Sequence, residues 1–473
     1  MNKIYIFGIG GTGARVIRAL TLLLASGVDC GGNAIVPIII DPDLSAADLT
    51  RTVELLKRYS QVREKLDFSQ GVRNRFFQTE IVEQVQGFRM PLNDQTVNCK
   101  FEDYLGVNSM SEENAALMRM LFSNKNLDSD MKVGFKGNPN IGSVVLNQFQ
   151  QSQEFQQFAS GFQQGDKIFI ISSIFGGTGA SGFPLLLKTL RHSTRIPNNG
   201  LINNAVIGAI SVLPYFGVEP DESSAIDSTT FISKTKSALS YYERNISNVN
   251  AIDYLYYIAD KERNTYENSE GGDTQRNKAH MVELCSALAV IDFARNSEKR
   301  TQTQHKEFGT QFEHDPLVFD DLGQETKKMI AGPLTQMSLF AKYMKDCADK
   351  SCEKQPWAKD HRLQSQFFNS DFVHALKYVQ SDGESGYLEW LDEMSDNKRS
   401  FSPFQWENLN DEISIVRGKE VKYNLFGSKG FAYFESKLNE ASKKADENYT
   451  KEQKLMEFFF VATETIVSKK FNF

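Results

Sequence analysis

Phe175-Gly176-Gly177-Thr178-Gly179-Ala180-Ser181-Gly182 follows the apolar run Lys167–Ser172 and precedes a helical stretch at Pro184–Arg191. Phosphate oxygens need closely packed N–H donors. Glycine lets the backbone come that near, and a following helix adds the positive end of its dipole. The first residues repeat the arrangement: a strand at Lys3–Phe7, glycines at 8, 10, 11 and 13, then a helix with Val16, Ile17, Leu20 and Leu23 on one face.

The first loop alone leaves several readings open. Gly8, Gly10 and Gly13 satisfy the dinucleotide fingerprint, with Asp41 where a ribose-binding acid would stand. The extra Gly11 also fits adenylate-forming enzymes that activate ubiquitin-like proteins, and a tight strand–helix turn needs no ligand at all. The second loop decides among them. A dinucleotide fold has no need of a second strand–GGTGxSG–helix unit; a fold that clamps a chain of phosphates from two sides does. Neither loop carries the Gly-Lys-Ser/Thr of a P-loop.

Working outward, the apolar run Ile35–Ile40 ends in Asp41-Pro42-Asp43 and closes a β-α-β unit. Further strands are expected at Ala205–Leu213 and Tyr254–Ile258, and a long apolar helix at Asn277–Phe293. Strand, glycine loop and helix alternate as in a doubly wound parallel α/β sheet. Residues 44–130 read as a helical insertion, with Arg51–Leu66 and Glu112–Phe122 its clearest helices. Asn296–Asp315 reads as polar and irregular. Beyond residue 325 helical periodicity dominates, with Leu334, Met337, Phe340 and Met344 on one stripe, a charged helix at Lys437–Lys454 and an amphipathic one at Met456–Lys469. The expected division is a nucleotide-binding domain over 1–295 and a mainly helical C-terminal domain over 296–473.

The 473 residues exceed what one hydrophobic core usually spans. No apolar run approaches the ~20 residues of a membrane helix, and no secretion signal is read at the N-terminus, so a cytoplasmic protein without a transmembrane segment is expected. A net charge of −7 argues against bulk electrostatic binding of nucleic acid. The five scattered cysteines and six histidines have no metal-ligand spacing, so reduced, structural thiols are expected.

These loops together resemble the tubulin/FtsZ superfamily, and a divergent bacterial branch of it, because the insertion is much longer than in FtsZ. Gly176-Gly177-Thr178-Gly179-Ala180-Ser181-Gly182 resembles the GGGTG[ST]G signature, with Phe175 in place of its first glycine. Gly8–Gly13 resembles the first phosphate loop, and Asp41-Pro42-Asp43 the second. Gly134–Gly142, with its core Gly137-Asn138-Pro139, resembles the loop that senses the terminal phosphate. Val212–Glu219 resembles the loop whose acid faces the ribose. Asp260 falls where the family has a base-contacting asparagine, and the helix from Asn277 resembles the central helix. The resemblance implies a GTP/GDP site with Mg2+. Gly10, Gly11, Thr12, Gly137, Asn138, Gly176, Gly177, Thr178, Gly179 and Ser181 would serve the phosphates, and Asp43 the metal. Glu219, Asp260, Asn277 and Glu283 would serve the ribose and base, with His280 near the base and no aromatic stacker evident.

In the family a neighbouring subunit completes GTP hydrolysis with acidic residues. Leu317–Leu322 faintly resembles that segment, which makes Asp320 and Asp321 the catalytic candidates; the same residues fit a helix N-cap before Gln324–Met329. The resemblance thus implies a tubulin-like GTP-binding protein that self-assembles as a filament or oligomer, or that controls a partner protein through its C-terminal domain. The alternatives are a non-polymerising GTP-binding scaffold, in a bacterial defence or membrane-remodelling system, and a Rossmann enzyme using NAD or ATP. The terminal stretch Met456–Phe473 is read as packing on its own domain rather than on a membrane.

Overall fold

The computed structural model describes residues 1–92, 98–131, 135, 137–220, 228–261, 264–266, 272, 277–308, 315–347, 352–381, 383, 385–407, 411–423 and 427–473. Its strands are β1 (Lys3–Ile9), β2 (Ala34–Ile40), β3 (Lys167–Ser173), β4 (Val206–Val212), β5 (Phe216–Val218), β6 (Tyr254–Ile258), β7 (Asn264–Tyr266) and β8 (Gln304–Phe308). The described helices of seven residues or more are α1 (Gly10–Ala25), α2 (Ala47–Arg63), α3 (Glu112–Leu121), α4 (Pro139–Val145), α5 (Gln153–Gly161), α6 (Gly177–His192), α7 (Phe231–Tyr242), α8 (Met281–Asn296), α9 (Gln324–Cys347), α10 (Asp371–Gln380), α11 (Tyr387–Ser395), α12 (Gly430–Ser442) and α13 (Lys451–Lys470).

Six strands form one parallel sheet in the order β2-β1-β3-β4-β6-β8. The α/β class read from the sequence is the one observed. The order reverses direction between β1 and β3. Ligands of open α/β sheets bind outside the carboxyl ends of the strands at such a switch point. The dinucleotide-binding order 3-2-1-4-5-6 is a different one.

Register then fixes which loops meet. Ile9 stands opposite Ile40, and Gly8 opposite Ile171. Ser173 stands opposite Val212, and Val212 opposite Ile258. The carboxyl ends of β1, β2, β3, β4 and β6 are therefore level. The segments that follow them, which begin near Gly10, Asp41, Gly176, Leu213 and Asp260, leave from one edge of the sheet.

Fully buried strands explain the apolar runs: β2 is buried at all seven positions. α1 is buried almost all round and packs against α2 and α8. The sixth strand, β8, lies in the stretch read as irregular. Its sequence Gln-His-Lys-Glu-Phe carries no apolar run, because it is an edge strand with largely exposed side chains. In the region read as a helical insertion, α2 and α3 sit where expected. Between residues 64 and 100 the described backbone holds only one short 3-10 turn, Gln86–Phe88. That stretch runs beside β2 instead, through parallel bridges Ile35–Ile81 and Ile39–Arg89.

The stretch read as one charged helix, Lys437–Lys454, divides between α12 and α13. α13 packs on α12 and α9, and the Phe340 and Phe459 rings stack at 4.2 Å. Phe458 and Phe459 are fully buried and Phe460 nearly so. The apolar face of the terminal helix is thus covered by its own chain. No described helix is long and apolar enough to cross a membrane.

Candidate functional site

β1 runs directly into α1. Gly10 turns the chain with φ +71°, a conformation costly for any residue with a Cβ. α1 starts with no side-chain cap and no acid in its first turn. α6 starts in the same way after Gly176. Each helix start leaves its first N–H groups without intrahelical acceptors. Both therefore present uncapped amides at the positive end of a 16-residue helix.

The two starts adjoin. A Cβ placed on Gly10 would stand 3.5 Å from Thr178 Cβ and 4.0 Å from the Gly179 amide nitrogen. A third loop closes on the second: a Cβ on Gly177 would stand 3.0 Å from the Asn138 nitrogen and 3.1 Å from that of Gly137. Asn138 caps α4 by accepting from the Asn140 N–H at 3.0 Å. Gly134 and Lys136 of that loop lie outside the described residues. Ser181 turns back into its own helix, its hydroxyl donating to the Gly177 carbonyl at 2.7 Å. Phe175 packs into an aromatic cluster, 5.0 Å from Phe231 and 5.6 Å from Phe216.

Asp41 and Asp43 follow β2, both buried. One Asp43 oxygen accepts from the Ser45 N–H at 3.0 Å and hydroxyl at 2.7 Å; the other accepts from the Gly272 N–H at 2.6 Å. Asp41 accepts from the Asp43 N–H at 3.0 Å. Its carboxyl is pushed up to about 7, chiefly by burial and further by the charges of Asp43 and Asp48. Among the described residues no three His, Cys, Asp or Glu side chains form a ready metal cluster.

Beneath the first loop lies a buried charge network that the sequence did not reveal. Arg15, one turn into α1, holds Glu283 at 2.6 Å and Asp48 at 2.9 Å. It also donates to the Tyr215 hydroxyl at 3.1 Å and reaches Thr12 Oγ1 at 3.5 Å. Burial disfavours the Arg15 charge, but Tyr215, Glu283 and Asp48 more than offset this and hold it above its ordinary value. Arg51 bridges Asp48 and Glu393, each at 2.8 Å, and Arg18 pairs with Glu393 at 2.6 Å. Three guanidinium groups thus meet three carboxylates, and the network balances its charge out of water. The available signal was α1 itself: a helix apolar nearly all round is buried all round, so its two arginines need partners inside.

The expected ribose and base residues are bound up in this framework. Glu283 accepts from Arg15, from the Tyr215 hydroxyl at 3.0 Å and from the His280 N–H at 3.2 Å. It is the N3 residue of a capping box that starts α8 at Met281, four residues later than read from the sequence. Asn277 precedes the helix and donates to Asp48 at 3.2 Å. Asp260 pairs with Arg399 at 3.3 Å. Glu219 is exposed, and its N–H pairs with the Tyr266 carbonyl at 2.9 Å. Burial pushes His280 down to about 4, and its ring lies 4.9 Å from Tyr215. Asp320 pairs with Lys327 and with Lys419 at 3.1 Å; Asp321 accepts from the Val318 N–H at 2.7 Å, as a cap does. These partners belong to the segments around the start of α9 and to residue 419, away in sequence from the glycine loops.

An open cavity of about 1070 Å3 lies between α4, α6 and α7, touching Gly137, Asn138 and Ser181. None of Gly10, Gly11 and Thr12 lines it. It is a neighbour of the loop junction, where the uncapped amides converge, and not the junction itself.

The chain is similar to several solved structures. CetZ from Methanosaeta thermophila shares 16% identity over 55% of this chain and 46% of that one, with a TM-score of 0.29. CetZ2 from Haloferax volcanii, a GTPγS-bound protofilament, shares 14% over 62% and 59%, with a TM-score of 0.30. CetZ1 from Haloferax volcanii, a GDP-bound monomer, shares 14% over 62% and 58%, with a TM-score of 0.30. The chain spans about half of the first structure's length. No family model and no curated protein matches it. A likeness at that TM-score says nothing of activity, and the site stands on its own geometry.

Proposed function

We propose that this protein binds a guanine nucleotide at the junction of its glycine loops, as a tubulin-like GTP-binding protein. The observation that carries this is the meeting of two uncapped helix starts, at Gly10 and Gly177, across the switch point of the sheet. An NAD- or ATP-using Rossmann enzyme would need neither the second cradle nor this strand order.

In this reading Gly10, Gly11, Thr12, Gly176, Gly177, Thr178 and Gly179 serve the phosphates through their backbone, with Gly137 and Asn138 at the terminal phosphate. Ser181 supports the loop by holding the Gly177 carbonyl. Glu219, Asp260, Asn277 and Glu283 frame the ribose and base; the last three keep their protein partners and act by position. Mg2+ fits the donor set, because hard carboxylate oxygens from Asp43 and Asp41 suit it and a cation would offset both the burial that chiefly raises Asp41 and the Asp43 and Asp48 charges that add to it. Bound there, it would neutralise phosphate charge. Asp320 and Asp321 would act only on the nucleotide of a neighbouring copy in an assembly, which makes self-association the condition for hydrolysis.

Gly11→Ala tests the phosphate site. A Cβ there meets nothing closer than Arg15 Nη1 at 3.7 Å, so the fold has room for it while the approach of a phosphate does not. Calorimetry with GTP and GDP should show binding to the parent protein and loss of it in the variant. Equal affinity in the two would place the phosphates elsewhere.

A further inference from the structure

Several residues of Glu393–Arg399, from the region read as a separate C-terminal domain, reach the segments around Asp260, Tyr266 and Ala279. Glu393 accepts from the Ala279 N–H at 2.9 Å while pairing with Arg18 and Arg51. Asp396 pairs with Lys278 at 2.9 Å. Asn397 donates to the Ala279 carbonyl and accepts from the Tyr266 hydroxyl at 3.1 Å. Arg399 pairs with Asp260 at 3.3 Å. Asp260, Tyr266 and the turn before α8 are thus gripped from one side by seven consecutive residues of another part of the chain.

We propose that Glu393, Asn397 and Arg399 are positioning residues of the nucleotide site, closing its base end and holding its first phosphate loop in place. The inference rests on the nucleotide-binding reading above.

Two lines of contact carry it. The first leads to the phosphates. Glu393 is the carboxylate between Arg18 and Arg51, two guanidiniums that repel each other. Burial disfavours its charge, and the two arginines more than offset this and hold it below the usual range. Arg51 then fixes Asp48 and donates to the Asn277 carbonyl at 2.6 Å. Asp48 fixes Arg15, whose Nη1 lies under Gly11 and whose Nη2 reaches Thr12. Removing the Glu393 charge frees Arg51, and each later link loses its fixed partner.

The second line leads to the base. Asn397 ties the Ala279 turn to Tyr266, whose partly buried ring lies 5.3 Å from Phe216. Arg399 sets the direction of Asp260. Guanine and adenine present different donor and acceptor edges, so in this proposal the placement of Asp260 and Tyr266 decides which base is accepted.

The test uses the full chain, with GDP and ADP titrated against the parent protein and against Glu393→Gln and Asn397→Ala. Glu393→Gln should weaken GDP binding at least about tenfold, a coupling of ordinary size. Asn397→Ala should lower the GDP-to-ADP affinity ratio at least about fivefold, beside whatever fall in melting temperature its lost buried hydrogen bonds cause. A general loss of structure would not move that ratio, so Asn397→Ala decides the matter if Glu393→Gln does not fold. Parent-like affinity and parent-like ratio in both variants would overturn the proposal while leaving the site intact. A parent protein that binds neither nucleotide would overturn the site itself, and the positioning role with it.

Discussion

Gly10 and Thr178, far apart in the chain, stand side by side: a Cβ on Gly10 would lie 3.5 Å from that of Thr178. The parallel register of β1 and β3 produces this contact, because it brings the starts of α1 and α6 to the same height at the sheet's reversal.

Thr178→Ala separates a side-chain role from a backbone one. If the loop works through its amides, removing the hydroxyl and methyl should weaken nucleotide binding by less than about tenfold, the loss of one hydrogen bond. Gly179→Ala should abolish binding and also lower stability, because its Cβ would meet the Ser173 carbonyl oxygen at 2.6 Å. Titration calorimetry beside thermal melting distinguishes the two.

Phe175→Gly introduces the glycine that the GGGTG[ST]G pattern has at this position and should not improve binding. The ring is 4% exposed and packs on Phe216 and Phe231. Its loss should cost about 3–5 kcal/mol of stability, as for other buried phenylalanines. Denaturant titration measures it; a stability equal to the parent's would contradict the packing.

The loops were legible in the sequence because backbone chemistry writes itself in glycine. The sheet strands were legible where they are buried on both faces, as in β2 and β3. β8 was not, since an edge strand with exposed faces needs no apolar pattern. α6 begins at Gly177, earlier than propensity allows, because tertiary packing overrides the poor helix tendency of its glycines. Arg15, Asp48 and Glu393 were illegible for a different reason. A charged residue looks like a surface residue until its partners arrive from elsewhere in the chain. The same holds for Glu283 and Asp260, whose arginine partners no local pattern announces.

Glu283→Ala should be among the most damaging single changes, at about 3–5 kcal/mol, because it strips Arg15 of a buried partner and α8 of its capping box. Replacing Arg15 and Glu283 together by methionine and leucine should cost less than the single change. Denaturation of the single and double variants checks the order.

Asp41 predicts a pH dependence. Its folded value, about 7, lies above its unfolded one, about 3.9. Between these values the folded state binds the extra proton, so stability from this group falls as pH rises from about 4 to 7 and then levels off. His280, pushed down to about 4, acts in the opposite sense over pH 4 to 6.5. The difference between the parent and Asp41→Asn isolates the first effect: the variant should gain relative stability as pH rises through this window. A constant difference would contradict a protonated Asp41.

The most direct measurement is to denature the purified protein and identify what it releases by chromatography. The proposed guanine-nucleotide site predicts GDP or GTP, at up to one per chain, and none from Gly11→Ala. Release of NAD, of an adenine nucleotide alone, or of the same guanine nucleotide from both proteins would contradict the account.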